Sequence, residues 1–294
     1  MLRIRSVLGN SQRLDGGAMF GNVPRPLWSK WCPPDEAGRI LLCCRCLLVE
    51  RGDQKILLET GIGSFFEPKL KERFGVVETE HVLCRGLEAL GTSHEAIDAV
   101  VLSHLHFDHA GGLLKAYREG EAPALLFPRA RFITSAGALA RARDPHPRDR
   151  ASFIPELLPL LEASGRLEVV EGEEGPLASL GDHLSFRLSH GHTPAMLHTL
   201  VRGAHGAVFT CADLVPGVPW AHLPVTMGYD RYPELLIDEK ARWFPELAAS
   251  GTWLFFTHDP ETALAKLTQS DDRFRTDSHL GDAMTDLDLD AAPS

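Results

Sequence analysis

The chain has 294 residues, of which 44% are hydrophobic and 24% charged, a composition typical of globular proteins and not of disordered or membrane-spanning chains. Its formal net charge is -10 at pH 7 and no block of Lys or Arg stands out, which argues against a nucleic-acid partner. Because no apolar run is long enough to cross a bilayer and the first residues lack a signal-peptide pattern, we expect a cytoplasmic protein with no membrane partner.

Apolar runs separated by turn residues predict alternating strands and helices along the chain. Residues 38–50 predict one strand, with 55–59 as its hairpin partner, and residues 82–90 predict a helix. Further strands are expected near 99–102, 130–134, 167–171, 184–189, 197–202, 207–211 and 252–256, and further helices near 112–119, 135–143, 150–161 and 232–249.

The domain boundaries follow from composition. No linker rich in Pro, Gly or Ser is long enough to separate two domains, so we predict a single domain over residues 1–276. Residues 277–294 are rich in Asp and poor in large apolar residues, which predicts a flexible acidic tail.

The six cysteines lie mostly in apolar surroundings, and we interpret them as buried reduced thiols. A redox pair of Cys43 and Cys46, or a thiolate metal site of Cys44 and Cys46, is the alternative.

The segment from Ser103 to Gly112 carries three histidines and one aspartate within six residues, directly after the predicted strand near 99–102. In an extended chain, residues two apart face the same way, so His104 and His106 should project together. The paired glycines at the end of the segment would let the chain turn, so that Asp108 and His109 aim at a neighbouring point. Imidazole and carboxylate suit Zn²⁺ and similar ions, and we therefore predict a metal site.

Three later segments repeat one pattern, in which an apolar strand ends in a side chain that can bind metal. These side chains are His192 with its neighbour His190, then Asp213, and finally His258. Added to the first cluster, they supply enough donors for two adjacent ions that share a carboxylate.

These motifs together resemble the metallo-β-lactamase superfamily, over residues 38 to about 260. The resemblance implies an α+β fold, a four-layer αββα sandwich of two mixed β-sheets flanked by helices. It also implies two divalent ions, Zn²⁺ first, with iron, manganese or cobalt as alternatives. One ion would be held by His104, His106 and His192, the other by Asp108, His109 and His258, with Asp213 bridging both beside a water or hydroxide. The Gly-His-Thr-Pro context favours His192 over His190 as the ligand.

The sequence departs from the family pattern in two places. Members usually carry Asp-Thr-Gly where this chain has Glu59-Thr60-Gly61, which puts the usual hydrogen bonds of that carboxylate in doubt. The Gly-His-Thr-Pro motif usually continues with Gly and His, whereas Ala195 and Met196 follow here; we expect His198 to be structural.

Residues 15–28 are similar to the leading segment of N-acyl-homoserine lactonases and methyl parathion hydrolase, so residues 1–37 are expected near the pocket. For substrate contacts, we predict Phe20 and Trp28 in an apolar wall, and His222 or Tyr229 as hydrogen-bond donors to a substrate oxygen. Relatives also suggest a homodimer.

The function implied is a binuclear zinc hydrolase of small-molecule lactones or carboxylic esters, using a metal-bridging hydroxide. Asp108 is the candidate catalytic residue, either passing a proton to the leaving alkoxide or acting as a ligand alone. The alternatives are a phosphotriesterase or phosphodiesterase of methyl parathion hydrolase type, a thioesterase of glyoxalase II type, and a metal-binding scaffold without activity.

Overall fold

The computed structural model describes residues 1–271 and 273–292, and this part of the chain forms sixteen strands and eight α-helices. The strands are β1 (Leu2–Leu8), β2 (Gln12–Asp15), β3 (Arg39–Leu42), β4 (Arg45–Arg51), β5 (Gln54–Leu58), β6 (Ala99–Val101), β7 (Arg131–Ser135), β8 (Leu167–Val170), β9 (Glu174–Pro176), β10 (Leu184–Ser189), β11 (Met196–Arg202), β12 (Ala207–Thr210), β13 (Trp253–Phe255), β14 (Leu264–Ser270), β15 (Arg273–Leu280) and β16 (Asp286–Asp288). The helices are α1 (Gly16–Phe20), α2 (Arg25–Trp31), α3 (Pro68–Arg73), α4 (Val82–Ala89), α5 (Phe107–Ala110), α6 (Ala136–Arg143), α7 (Leu157–Ala163) and α8 (Pro233–Ala249).

Two mixed sheets of seven strands each carry the fold. The first has the order β16-β1-β4-β5-β6-β7-β8, in which β5 to β8 are parallel and the other pairs antiparallel. The second has the order β15-β14-β13-β12-β11-β10-β9, and only its β12–β13 pair is parallel. Strands β2 and β3 form a separate two-stranded ribbon.

The core lies in three layers because successive strand residues face opposite sides. In β4, Leu47 and Val49 pack between the two sheets, whereas Leu48 faces the outer layer with α4 and α7. The second sheet is covered by α8 in the same way, where Phe244 packs with Phe209. This arrangement confirms the predicted αββα sandwich of two mixed sheets.

Three predicted elements differ from the structure. The helix expected near 150–161 is a 3-10 turn at Arg150–Ser152 followed by α7 from Leu157, because Pro155 disfavours a helical conformation at the residue before it. The strand expected over 38–50 is interrupted at Cys43 and Cys44, so that β3 joins the small ribbon and β4 the first sheet. The interruption is held by contacts to other loops, since Arg45 N donates to Thr257 O at 2.8 Å. The helix expected near 112–119 is wrong, because beyond Leu113 the chain is extended and Lys115 N donates to Ala124 O.

The acidic C-terminal segment is ordered, contrary to the prediction of a flexible tail. The predicted flexible tail is wrong for residues 277–292, while 293–294 lie outside the described residues. Strand β16 pairs with β1, and Leu289 is buried. Within the same segment, Asp282 accepts hydrogen bonds from the buried Arg45 guanidinium at 2.6 and 3.0 Å. Alternating Asp and Leu therefore act here as an edge strand with one buried face.

Within residues 1–271 and 273–292, no helix has the length and apolar character that crossing a membrane requires.

Candidate metal centre

The seven predicted donor side chains come together at one edge of the sandwich. His104, His106, Asp108 and His109 follow β6 of the first sheet, the last two on the short helix α5. His192, Asp213 and His258 follow β10, β12 and β13, three strands that run in one direction in the second sheet. Strands of the same direction end at the same sheet edge, so three segments far apart in sequence meet the first cluster.

One group of donors consists of His104, His106, His192 and Asp213, each offering an atom within 4.8 Å of the others. His106 Nδ1 lies 3.3 Å from His192 Nε2, and Asp213 Oδ2 lies 3.1 Å from His192 Nε2. All four side chains are buried. Three imidazoles and a carboxylate at these separations are a donor set that can hold Zn²⁺.

The second group consists of Asp108, His109 and His258, whose donor atoms again lie within 4.8 Å of one another. The Nε2 atoms of His109 and His258 are 3.2 Å apart. Asp213 joins the groups, because its other oxygen, Oδ1, is 3.2 Å from His109 Nε2 and 3.1 Å from His258 Nε2. One oxygen of Asp213 thus faces each group, as a shared carboxylate requires.

The electrostatics of the centre favour metal binding. Burial, reinforced by neighbouring imidazoles, lowers the pKa of His104 and His106 well below the usual value, which keeps both rings neutral. Burial would raise the pKa of Asp213, but His109, His192 and His258 outweigh it and hold that pKa well below its usual range. Neutral rings at His104 and His106 and an ionised Asp213 are the protonation states in which these groups coordinate metal. The carboxylates around His109 and His192 overcome the effect of burial and raise the pKa of these two imidazoles, which would therefore release protons when a metal binds.

The groups behind the donors fix the orientation of each ring. His104 Nδ1 lies 2.9 Å from Ser103 Oγ, and His258 Nδ1 donates to the Cys43 carbonyl oxygen at 2.8 Å. In each ring this leaves Nε2 for the centre. These contacts are the second layer of hydrogen bonds that metal-binding imidazoles usually make.

Glu59 takes the place of the usual Asp and still reaches its partners. Oε2 lies 3.1 Å from His109 Nδ1, and Oε1 accepts the backbone N–H of Ser103 at 2.8 Å. Its backbone has φ 67°, a left-handed conformation that side-chain-bearing residues adopt at a cost of about 1 kcal/mol. From this backbone the Glu59 carboxylate reaches both His109 and Ser103, so the hydrogen bonds that the sequence put in doubt are formed.

Two supporting side chains were missed by the sequence reasoning. Asp230 accepts from His192 Nδ1 at 2.9 Å, and the Gln12 amide donates to Asp108 Oδ2 at 2.8 Å. Both reside in segments without a motif, so no sequence signal marked them.

The glycines of the first motif serve a different purpose from the predicted turn. Gly111 continues in helical conformation with φ −63°. A side chain at Gly111 or Gly112 would collide with the carbonyl oxygens of Ile62 or Thr60, respectively. The glycines therefore let α5 pack directly against the 59–62 segment, which holds Glu59 beside His109.

Helix α8 supports the centre through two buried ionisable residues, Glu239 and Lys240. The Glu239 carboxylate accepts the N–H groups of His190 and Gly191 at 2.6 and 3.1 Å. Nζ of Lys240 donates to the carbonyls of Trp220 and Val225 at 2.8 and 2.6 Å. Burial lowers the pKa of Lys240 to about 7. These contacts fix the segments that lead to His192 and to Asp230.

An open cavity of about 310 Å³ lies over the donors. Its lining is mainly apolar, with a few polar groups beside Asp108 and Asp213. The apolar side chains are Leu14, Met19, Leu42, Phe74, Phe107 and Met227, and the polar ones include Arg148, Ser152 and Tyr229. Burial, followed by the charges of Asp108 and Asp15, raises the pKa of Tyr229, so its hydroxyl stays protonated at neutral pH. The volume suits a small organic molecule.

Of the predicted substrate contacts, the structure places only Tyr229 in this cavity. Phe20 is fully buried and stacks between Trp28 and Trp220. Its ring centroid lies 5.6 Å from that of Trp28 and 4.5 Å from that of Trp220. His222 stacks on Trp31 outside the cavity. The predictions for Phe20, Trp28 and His222 are therefore wrong, because α1 turns Met19 toward the cavity and Phe20 into the core.

The two histidines that flank the Gly-His-Thr-Pro motif, His190 and His198, lie outside the donor groups. His190 Nε2 lies 2.9 Å from Glu173, and the buried His198 contacts Ser189 Oγ and the Thr210 carbonyl at 2.8 and 3.0 Å. Burial lowers the pKa of His198 to about 4. Both positions agree with the sequence expectation that neither is a donor to the centre.

Comparison with known proteins places this geometry in a family. The family model of the metallo-beta-lactamase superfamily matches residues 43–266. A probable metallo-hydrolase of Mycobacterium tuberculosis is 28% identical over 203 residues, covering 62% of this chain; the match spans 60% of that protein's own length.

Solved structures give the same answer for the fold. A probable metal-dependent hydrolase from Staphylococcus aureus is 26% identical, with a TM-score of 0.85 over 95% of this chain and 96% of its own. AidC, a dizinc quorum-quenching lactonase, is 20% identical, with a TM-score of 0.70 over 94% of this chain and 93% of its own. The matched residues 43–266 make up most of the chain, and the chain therefore belongs to the metallo-beta-lactamase superfamily.

Proposed function

We propose that this protein is a binuclear, zinc-dependent hydrolase of small-molecule lactones or carboxylic esters. The observation that carries the proposal is the position of Asp213, whose two oxygens face two separate donor groups on the floor of an open cavity. The names of the relatives from M. tuberculosis and S. aureus support metal-dependent hydrolysis, and AidC supports a lactone substrate.

The residues present fit a pair of divalent ions. His104 Nε2 is buried and has no hydrogen-bond partner among the described residues, an expensive state for an imidazole unless something binds it. We assign His104, His106 and His192 to one ion, Asp108, His109 and His258 to the other, and Asp213 to both. Ions bound there would supply a water activated near neutral pH and polarise the substrate's carbonyl.

The chain's own residues would complete the reaction around that water. Hydrolysis breaks the bond between the acyl carbon and the alkoxy oxygen; the water's hydroxyl goes to the carbon and its proton to the alkoxide. Asp108 lines the cavity, and its Oδ2 is oriented by Gln12, so we assign to it the transfer of that proton. The Tyr229 hydroxyl is placed to donate to a substrate oxygen, and the apolar wall to hold an acyl or aryl group.

Metal analysis and turnover measured on one batch test the proposal. We expect two ions per chain, and hydrolysis of a homoserine lactone in preference to paraoxon. Asp213→Ala should lose metal and turnover together, whereas Asp182→Ala, a control at an exposed aspartate paired with Arg51, should keep both. Full turnover with one ion per chain would contradict the binuclear scheme, and turnover of paraoxon alone would favour a phosphotriesterase.

A further inference from the structure

One arginine in the cavity wall has spare hydrogen-bonding capacity. Arg148 lines the same cavity as His106 and Asp213. Its Nη2 donates to the carbonyl oxygens of Gly228 and Asp230, at 2.5 and 3.3 Å. A guanidinium has five N–H groups, and the three on Nε and Nη1 have no protein partner in the part of the chain that the structure describes.

The charge of Arg148 is also uncompensated. Across residues 1–271 and 273–292, no carboxylate lies within 4 Å of its guanidinium, whereas two other arginines of the same region are paired: Arg141 with Asp149 at 2.7 Å and Arg143 with Glu162 at 2.5 Å. Asp149, the other charged group in this part of the wall, is therefore already neutralised by Arg141. This is notable in a chain whose net charge is -10.

Arg148 is the uncompensated positive charge of the cavity. Two divalent ions would balance the four carboxylates of the centre, Asp108 and Asp213 among the donors and Glu59 and Asp230 behind them. Gly228 and Asp230 flank Tyr229 in the chain, and their carbonyls hold the Arg148 guanidinium at the cavity that Tyr229 also lines. A planar guanidinium held by two carbonyls is suited to bind a carboxylate through its remaining donors.

We propose that Arg148 is a specificity-determining residue, which recognises an anionic group on the substrate at a distance from the bond that is broken. The preferred substrate would then be an ester or lactone that carries a carboxylate. This inference rests on the proposed hydrolase function and narrows its substrate class.

A pair of aryl esters that differ only at the far end of the acyl chain tests the inference. Monophenyl adipate carries a carboxylate where phenyl hexanoate carries a methyl group. For the zinc-loaded wild type, we expect kcat/KM to favour the adipate ester after subtraction of the uncatalysed rate. In Arg148→Gln, this preference should fall about tenfold, mainly through KM, because a charge-assisted hydrogen bond is lost.

Two further variants separate recognition from structure. Loss of the contacts to the Gly228 and Asp230 carbonyls would slow both esters alike, so the ratio between the esters isolates the charge effect. Arg148→Lys should keep part of the preference, and Arg143→Gln, which removes an exposed arginine outside the cavity, should keep all of it. An unchanged ratio in Arg148→Gln would overturn the inference.

A binding measurement distinguishes failure of this inference from failure of the proposed function. If the zinc-loaded protein hydrolyses neither ester nor any lactone, the proposed function fails. Calorimetric titration with adipate and hexanoate then still tests Arg148. Tighter binding of adipate that is lost in Arg148→Gln supports the anion site, and equal binding by both proteins overturns it.

Discussion

Replacing Asp230 by Asn tests how far the contact behind His192 determines metal affinity. Both carboxylate oxygens of Asp230 accept hydrogen bonds, Oδ1 from His192 Nδ1 at 2.9 Å and Oδ2 from the Met227 N–H at 2.6 Å. Asn has nearly the same shape but only one acceptor oxygen. Its NH2 group must therefore face one of these two donors, and the side chain is too buried for water to replace the lost bond.

The expected loss of zinc affinity follows from the two orientations that the amide of the Asp230→Asn side chain can take. If the amide NH2 faces His192, the ring must carry its proton on Nε2, the atom 3.1 Å from Asp213, and it then cannot coordinate a metal there. If it faces Met227, a buried N–H loses its acceptor, at a cost of about 1–3 kcal/mol. Changes to such supporting contacts lower metal affinity by roughly 10–100-fold, or about 1.4–2.7 kcal/mol, and we expect Asp230→Asn to fall within that range.

Zinc affinity can be measured by competition with a chromophoric chelator, in parallel with turnover at saturating zinc. Asp98→Asn is the matched control, because Asp98 also accepts a backbone N–H, that of Lys55, and pairs with Arg129, but lies outside the centre. This control should bind zinc as the wild type does. If Asp230→Asn binds zinc within about twofold of the wild type, the supporting role assigned here is refuted.

Three further predictions concern other supporting residues. Glu59→Asp should lower zinc affinity about tenfold, because the shorter side chain cannot span to His109 from the same backbone; unchanged zinc content after equilibrium dialysis would contradict this. Burial lowers the pKa of Lys240 from 10.5 to about 7 in the folded protein, so between about pH 7 and 10 the unfolded chain binds a proton that the folded protein does not. The free energy of unfolding of the metal-free wild type should therefore fall as the pH is lowered from about 10 to 7. Urea unfolding of Lys240→Met should show a flatter pH dependence over that window, and an equal slope would exclude Lys240 as its source. Asp282→Asn should reduce the free energy of unfolding by about 2–3 kcal/mol by depriving the buried Arg45 of its counter-charge, and urea denaturation showing less than about 0.5 kcal/mol would argue against that coupling.

The donor residues could be predicted from sequence because the signals that mark them are local. Each follows a short apolar strand, and strand ends of the same direction gather at one edge. The supporting residues depend instead on contacts between distant segments, and neither has a periodicity or motif of its own. Asp230 lies 38 residues from His192, and Gln12 lies 96 residues from Asp108.

The predictions of substrate contacts at Phe20, Trp28 and His222 were wrong for a different physical reason. Aromatic composition near a site does not tell which way a short helix faces, and in α1 adjacent residues have opposite surroundings. Met19 lines the cavity, whereas Phe20 is enclosed by Trp28 and Trp220. The C-terminal segment was mistaken for a tail because its charge obscured the alternation of Asp286, Leu287 and Asp288, which is the pattern of a strand with one apolar face.

Both donor groups take side chains from loops of both sheets, with His104 and His106 meeting His192 in one and His109 meeting His258 in the other. Metal binding would therefore cross-link the two sheets of the sandwich, and the sheets could separate only if the ions were released. Resistance to proteases and to heat should then rise with occupancy, so that metal supply in the cell would govern how long each molecule survives as well as how fast it works.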